Sequence, residues 1–65
     1  MKINRTAIDI IAAQKGLSMA DIAQRAGLSR QSVSTIRTRG TSSAISAGKI
    51  ARALDVDVTE LIEDE

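Results

Sequence analysis

Arg30, Gln31, Ser34, Thr35 and Arg37 lie within eight residues of one another in a 65-residue chain without histidine, cysteine, proline or any aromatic side chain. Guanidinium, amide and hydroxyl groups clustered in this way form directional hydrogen bonds and suit the edges of nucleic-acid bases and phosphate oxygens. Catalytic chemistry has little to work with. The usual proton shuttles and soft metal ligands are missing. No glycine-rich phosphate loop is present, and apolar residues interrupt the carboxylates around Asp55-Val56-Asp57, where a calcium loop would need evenly spaced oxygens. A non-enzyme with neither metal nor cofactor is expected.

The polar cluster needs an element to hold it, and residues 19–36 supply one. Ser18 with Asp21 forms a capping-box pattern ahead of the apolar stripe Ile22, Ala23 and Ala26. Gly27 provides a positive-φ corner, Leu28 tucks the corner inward, and Ser29 caps a second helix. Val33 and Ile36 mark the inner face of that helix, which turns the polar cluster outward. Small Ala23 allows the two helices to cross closely. This is the pattern of a helix-turn-helix, and it points to DNA binding.

Other helices follow from the same signals. Asn4 caps a first helix from about Arg5 to Gln14, stopped by Gly16, with Ile8 and Ile11 facing inward beside Ala7 and Ala12. Ile10 falls off that stripe. Gly40 ends the third helix, and Thr41-Ser42-Ser43 is a polar loop. Ser46 is expected to cap a fourth helix with Ile45 as its staple and Ile50, Ala51 and Leu54 buried. Asp57 with Glu60 reads as the capping box of a short fifth helix carrying Val58, Leu61 and Ile62. Ile8, Ile11, Ile22, Val33, Ile36, Ile50, Leu54 and Leu61 form the expected core. Gly48 serves either close packing or approach to phosphate. No segment alternates with a period of two, so strands are not expected. The fold class is therefore all-α, a compact bundle of about five short helices forming one domain over residues 1–65.

Charge is partitioned along the chain. Between Ile22 and Leu54 there are six basic residues and no acid, whereas Asp55 to Glu65 contains six acids and no base. A basic body would track phosphate while the acidic end stays away from it. Absence of cysteine fits a reducing cytosol, no apolar run reaches membrane length, and Met1-Lys2-Ile3-Asn4 does not open a signal peptide. A cytoplasmic, nucleoid-associated protein is expected, without membrane contact or an evident small-molecule effector.

The segments KGLS (15–18), DIAQRAGLSRQSVSTI (21–36) and KIARALDVDVTELI (49–62) occur in order and resemble the lambda-repressor-like (Cro/CI-type, XRE) helix-turn-helix DNA-binding family across nearly the whole chain. The resemblance implies that the N-terminal part of the third helix enters the major groove of double-stranded DNA. Base contacts would then fall to Ser29, Arg30, Gln31, Ser34 and Thr35. Their chemistry agrees: arginine can hold guanine O6 and N7, glutamine can pair with adenine N6 and N7, and a threonine methyl can meet a thymine methyl. Phosphate contacts would fall to Ser18, Met19, Arg37, Thr38, Arg39, Thr41, Ser42 and Ser43.

The chain departs from the family pattern at four places. Met19 replaces a usual glutamine and leaves only its backbone amide for phosphate. Ala12 and Arg37 occupy positions where many members pair an arginine with a glutamate, so that ion pair is expected to be missing and Arg37 free to face DNA. Arg39-Gly40 lengthens the turn after the third helix. Asp55 stands where glycine often ends the fourth helix, and is expected in the left-handed region at some cost. The favoured reading is a sequence-specific transcriptional regulator of bacterial, phage or mobile-element origin that represses by occluding a promoter. One such domain reads too few base pairs alone, so a homodimer is expected, with Val58, Leu61 and Ile62 as the candidate interface or, alternatively, a lid on the core. The competing class is a protein-interaction module on the same fold, such as an antitoxin or anti-regulator.

Overall fold

Asn4 starts the first helix: its side-chain oxygen accepts from the Ala7 amide at 3.1 Å, satisfying one of the donors that a helix start leaves open. The computed structural model describes residues 1–63; Asp64 and Glu65, part of the acidic end, lie outside the described residues. Helix α1 spans Arg5–Lys15 and ends at Gly16 (φ 67°). Helix α2, Met19–Ala26, begins with both halves of the Ser18/Asp21 capping box and ends at Gly27 (φ 71°). Helix α3, Arg30–Arg39, is capped by Ser29, whose hydroxyl accepts from the Ser32 amide at 3.0 Å, and ends at Gly40.

Helix α4 corrects the sequence expectation. It runs Ala44–Leu54 and its cap is Ser43, whose hydroxyl accepts from the Ser46 amide at 3.2 Å. Ser46 therefore lies inside the first turn, and Ile45 is 74% exposed instead of serving as a staple. The helix ends at Asp55 in the left-handed region (φ 58°), as expected for a residue standing where glycine is usual.

The fifth helix is reduced to a single 3₁₀ turn, Val58–Glu60, so the described residues hold four α-helices and that turn. Its capping box forms as expected: the Glu60 carboxylate accepts from the Asp57 amide at 3.1 Å, and the Asp57 carboxylate accepts from the Thr59 amide at 2.9 Å. One turn is all that forms because the chain beyond it is used otherwise. The Leu61 carbonyl accepts from the Asn4 amide at 2.7 Å, and Ile62 pairs with Ile3 in an isolated antiparallel bridge.

That bridge belongs to a feature with no local signal in the sequence. Residues 1–4 form a strap between the loop after α3 and the C-terminal segment. On one side Ile3 N–H donates to Gly40 and Ser42 N–H donates to Met1; on the other, Asn4 N–H donates to Leu61 and Glu63 N–H donates to Lys2. Ile3, 4% exposed, plugs the core between them.

The core is aliphatic and rich in alanine. Ile3, Ile8, Ile22, Val33, Ile50, Leu54 and Leu61 are buried together with Ala12, Ala23, Ala26, Ala47, Ala51 and Ala53. The small residues let α2 lie closely on both α3 and α4, and α4 also packs on α1 and the 3₁₀ turn. Ile11 and Ile36 are only partly buried at the edge of this core, and Ile10 is 52% exposed. Leu61 is fully buried within its own protomer, while Val58 and Ile62 lie half-buried beside it.

Gly48 does not serve close packing, because a β-carbon built there meets nothing within 4 Å. Gly48→Ala should therefore stabilise the protein by about 0.5–1 kcal/mol, the usual cost of glycine inside a helix. The midpoint of urea unfolding should rise at constant slope. A gain in stability joined to weaker DNA binding would assign Gly48 to phosphate approach.

Candidate nucleic-acid interface

Burial of Val33 fixes the rotation of α3, and the rotation decides which side chains face outward. Val33 is fully buried and Ile36 partly so, which leaves Gln31, Ser34 and Thr35 exposed on the far side and Arg30 exposed at its border, while Ser29, four residues before Val33, is exposed as the cap ahead of the helix. Arg30, Gln31, Ser34 and Thr35 line one open concavity together with Thr38 and Arg39. The structure thus brings four of the five expected base-reading residues together with two expected phosphate contacts. Ser29 is set apart: its hydroxyl accepts from the Ser32 amide and donates to the Ser32 hydroxyl at 2.8 Å.

A second concavity runs along the flank of the first, lined by Ser29, Gln31, Ser32, Thr35, Ile36 and Ser46. Ser46 reaches it because the α4 cap is three residues earlier than expected. The start of α4 therefore lies beside α3, with the Ala44 and Ile45 amides in its first turn, where no intrahelical acceptor exists. Reading Ser46 as a cap hid this residue from the sequence analysis. Ser43, the actual cap, uses its hydroxyl on the Ser46 amide.

The start of α2 offers a comparable group. The Ser18 hydroxyl is engaged with the Asp21 amide, and the Ser18 amide donates to the Asp21 carboxylate at 2.9 Å. That amide, and then the Ser18 hydroxyl, hold the Asp21 pKa below its ordinary value. The Met19 and Ala20 amides are left without intrahelical acceptors, while the Met19 side chain packs against the core. Backbone, not side chain, is what Met19 can offer, as its sequence position suggested. Thr41 is exposed but paired through its backbone with Lys2; the Ser42 amide is taken by Met1, and the Ser42 hydroxyl donates to the Ser43 carbonyl.

Arg37 is not free, contrary to the sequence expectation. Its Nε donates to Asp9 Oδ1 at 3.0 Å, and its Nη2 donates to Oδ1 at 2.7 Å and Oδ2 at 2.9 Å. An ion pair between α1 and the end of α3 is therefore present with its polarity reversed: the acid is on α1 and the base on α3. Sequence reasoning misses Asp9 because it pairs across 28 residues and stands one turn before Ala12, where the family places the helix-1 partner.

Among the described residues no helix is long and apolar enough to cross a membrane, and no cluster of acidic side chains could hold a metal ion. Comparison with known proteins matches residues 7–65 to the sequence profile of the Cro/C1-type HTH DNA-binding domain. Searches of curated proteins and of solved structures gave no match. Domains of the matched family are DNA-binding regulators and not enzymes, and the two short helices around Gly27 with an exposed polar face on the second are the geometry that such binding requires. The chain belongs to the Cro/C1-type helix-turn-helix DNA-binding family.

Proposed function

We propose that the protein is a sequence-specific transcriptional repressor that occludes a promoter, acting as a single domain and binding as a homodimer to two half-sites. The observation that carries this reading is the concavity formed by Arg30, Gln31, Ser34, Thr35, Thr38 and Arg39 over a fully buried Val33. In the major groove, Arg30 would grip a guanine edge and Gln31 an adenine edge, Thr35 would meet a thymine methyl, and Ser29 and Ser34 would bond adjacent base edges. Thr38, Arg39, Thr41 and Ser43, with the amides at the start of α2, would hold the backbone and set the register, whereas Ser42 would join them only by releasing its hydroxyl from the Ser43 carbonyl. Dimer contact through the C-terminal strip would use Val58 and Ile62, since Leu61 is occupied inside the protomer. Membership of the Cro/C1-type family is what supports a cytoplasmic regulator working at the nucleoid in a bacterium, phage or mobile element.

Paired substitutions test the division of labour. Arg30→Ala should cost about 1–3 kcal/mol on the preferred site and relax the preference at one base pair. Arg39→Ala should weaken binding to all sequences alike and lower the salt slope by about one. Fluorescence anisotropy on matched and single-substituted duplexes separates the two. Unchanged base preference in Arg30→Ala would remove that residue from the reading.

A further inference from the structure

Arg30, Ser34 and Arg37 are spaced i, i+4, i+7 on α3 and so form one row along the border of its exposed face. The first two line the concavity, yet the third is turned back onto α1. Its guanidinium fork engages both oxygens of Asp9, and its side chain is only 27% exposed. Among the described residues this is the one ion pair that joins two α-helices; the other, Lys2 with Glu63 at 3.8 Å, ties the two ends of the chain. Helix α1 packs on α4 and α3 packs on α2, so the pair spans elements that otherwise hold different neighbours.

A half-exposed pair of this kind contributes little to stability, whereas its effect on attraction for a polyanion is larger. Asp9 cancels one of the three arginines on α3 and places a carboxylate at the edge of a face that would meet phosphate. Every phosphate contact strengthens binding to DNA of any sequence, and that sequence-independent binding competes with recognition of a chosen site.

We propose that Asp9 is a specificity-determining residue that withholds Arg37 from phosphate, so that more of the binding rests on the base-edge contacts of Arg30 and Gln31. This rests on the DNA-binding reading above. Removing Asp9 frees a cation beside the groove, raising affinity for arbitrary duplex DNA and narrowing the margin for a preferred site.

The test is a titration of wild type, Asp9→Ala and the double variant Asp9→Ala/Arg37→Ala against a mixed-sequence duplex over a series of salt concentrations. Far-ultraviolet circular dichroism confirms the fold of each, and Asp9→Asn replaces Asp9→Ala if the latter loses its helical spectrum. Asp9→Ala should bind roughly 3–10-fold tighter at about 0.1 M salt, with a salt slope steeper by about one, and the double variant should return to near the wild-type curve. No gain in Asp9→Ala would overturn the proposal. A gain that persists in the double variant would also overturn it, by assigning the effect to loss of the carboxylate alone. A wild-type protein with no salt-dependent affinity for any duplex would instead defeat the DNA-binding reading itself, whatever Asp9 does.

Discussion

Val33→Asp should abolish the folded state at neutral pH. Val33 is fully buried beneath the exposed face of α3, and among the described residues no buried polar or charged side chain lies in the core to receive a carboxylate. An unpaired buried charge costs several kcal/mol even after relaxation, and a domain of this size has only about 3–10 kcal/mol to lose. Circular dichroism at 25 °C should show loss of helix, and heating should show no cooperative transition. The same substitution tests the interface, because burial of Val33 is what points Arg30, Gln31, Ser34 and Thr35 outward. A native-like melting curve would mean that α3 is rotated and that these side chains do not share the outer face.

Ile3→Ala should destabilise the protein by about 2–4 kcal/mol, the range for removing a buried isoleucine side chain down to its β-carbon. Ile3 lies outside the region matched by the family, residues 7–65, and yet it is 4% exposed among core residues. Its backbone is held on one side by Gly40, and the neighbouring residues of the strap hold Ser42, Leu61 and Glu63. Loss of the side chain should loosen both the loop after α3 and the C-terminal segment. Urea denaturation should show a lower midpoint with an unchanged slope. A shift below about 0.5 kcal/mol, the range of ordinary surface substitutions, would mean that the strap frays in solution and the core closes without it.

What the sequence revealed and what it hid follow from the range of the interactions. Ser18 with Asp21 and Asp57 with Glu60 announce their turns because each box closes within three residues. Gly16, Gly27 and Gly40 mark helix ends for a similarly local reason: each takes a positive φ. The exposed face of α3 was legible because Val33 and Ile36 fix its phase, and Arg30, Gln31, Ser34 and Thr35 follow from that phase; Arg37, expected on the same face, is turned back onto Asp9, and Thr38 and Arg39 follow only from the family resemblance.

Longer-range features were not legible. Ser43 and Ser46 are both plausible caps, and the choice depends on where the preceding loop is held. In the fold the loop is held by the bond from the Ser42 amide to Met1 and the helix is capped by Ser43, and no local pattern encodes that bond. The same strap takes Ile62 into a bridge with Ile3, which leaves Val58–Glu60 as a single turn where a helix was expected. Asp9 and Arg37 meet only because α1 passes the last turn of α3, a fact of packing that neither segment contains.

Sequence-specific recognition of double-stranded DNA by the outer face of α3 is what the proposed function stands on. Its most direct test is selection of the purified protein against a random duplex library at about 0.15 M salt, where screening suppresses sequence-independent attraction. The wild-type protein should enrich an inverted repeat with half-sites about one helical turn apart, and Arg30→Ala should lose that enrichment. A folded protein that enriches no sequence would exclude sequence-specific DNA recognition and point to a protein partner for the same surface.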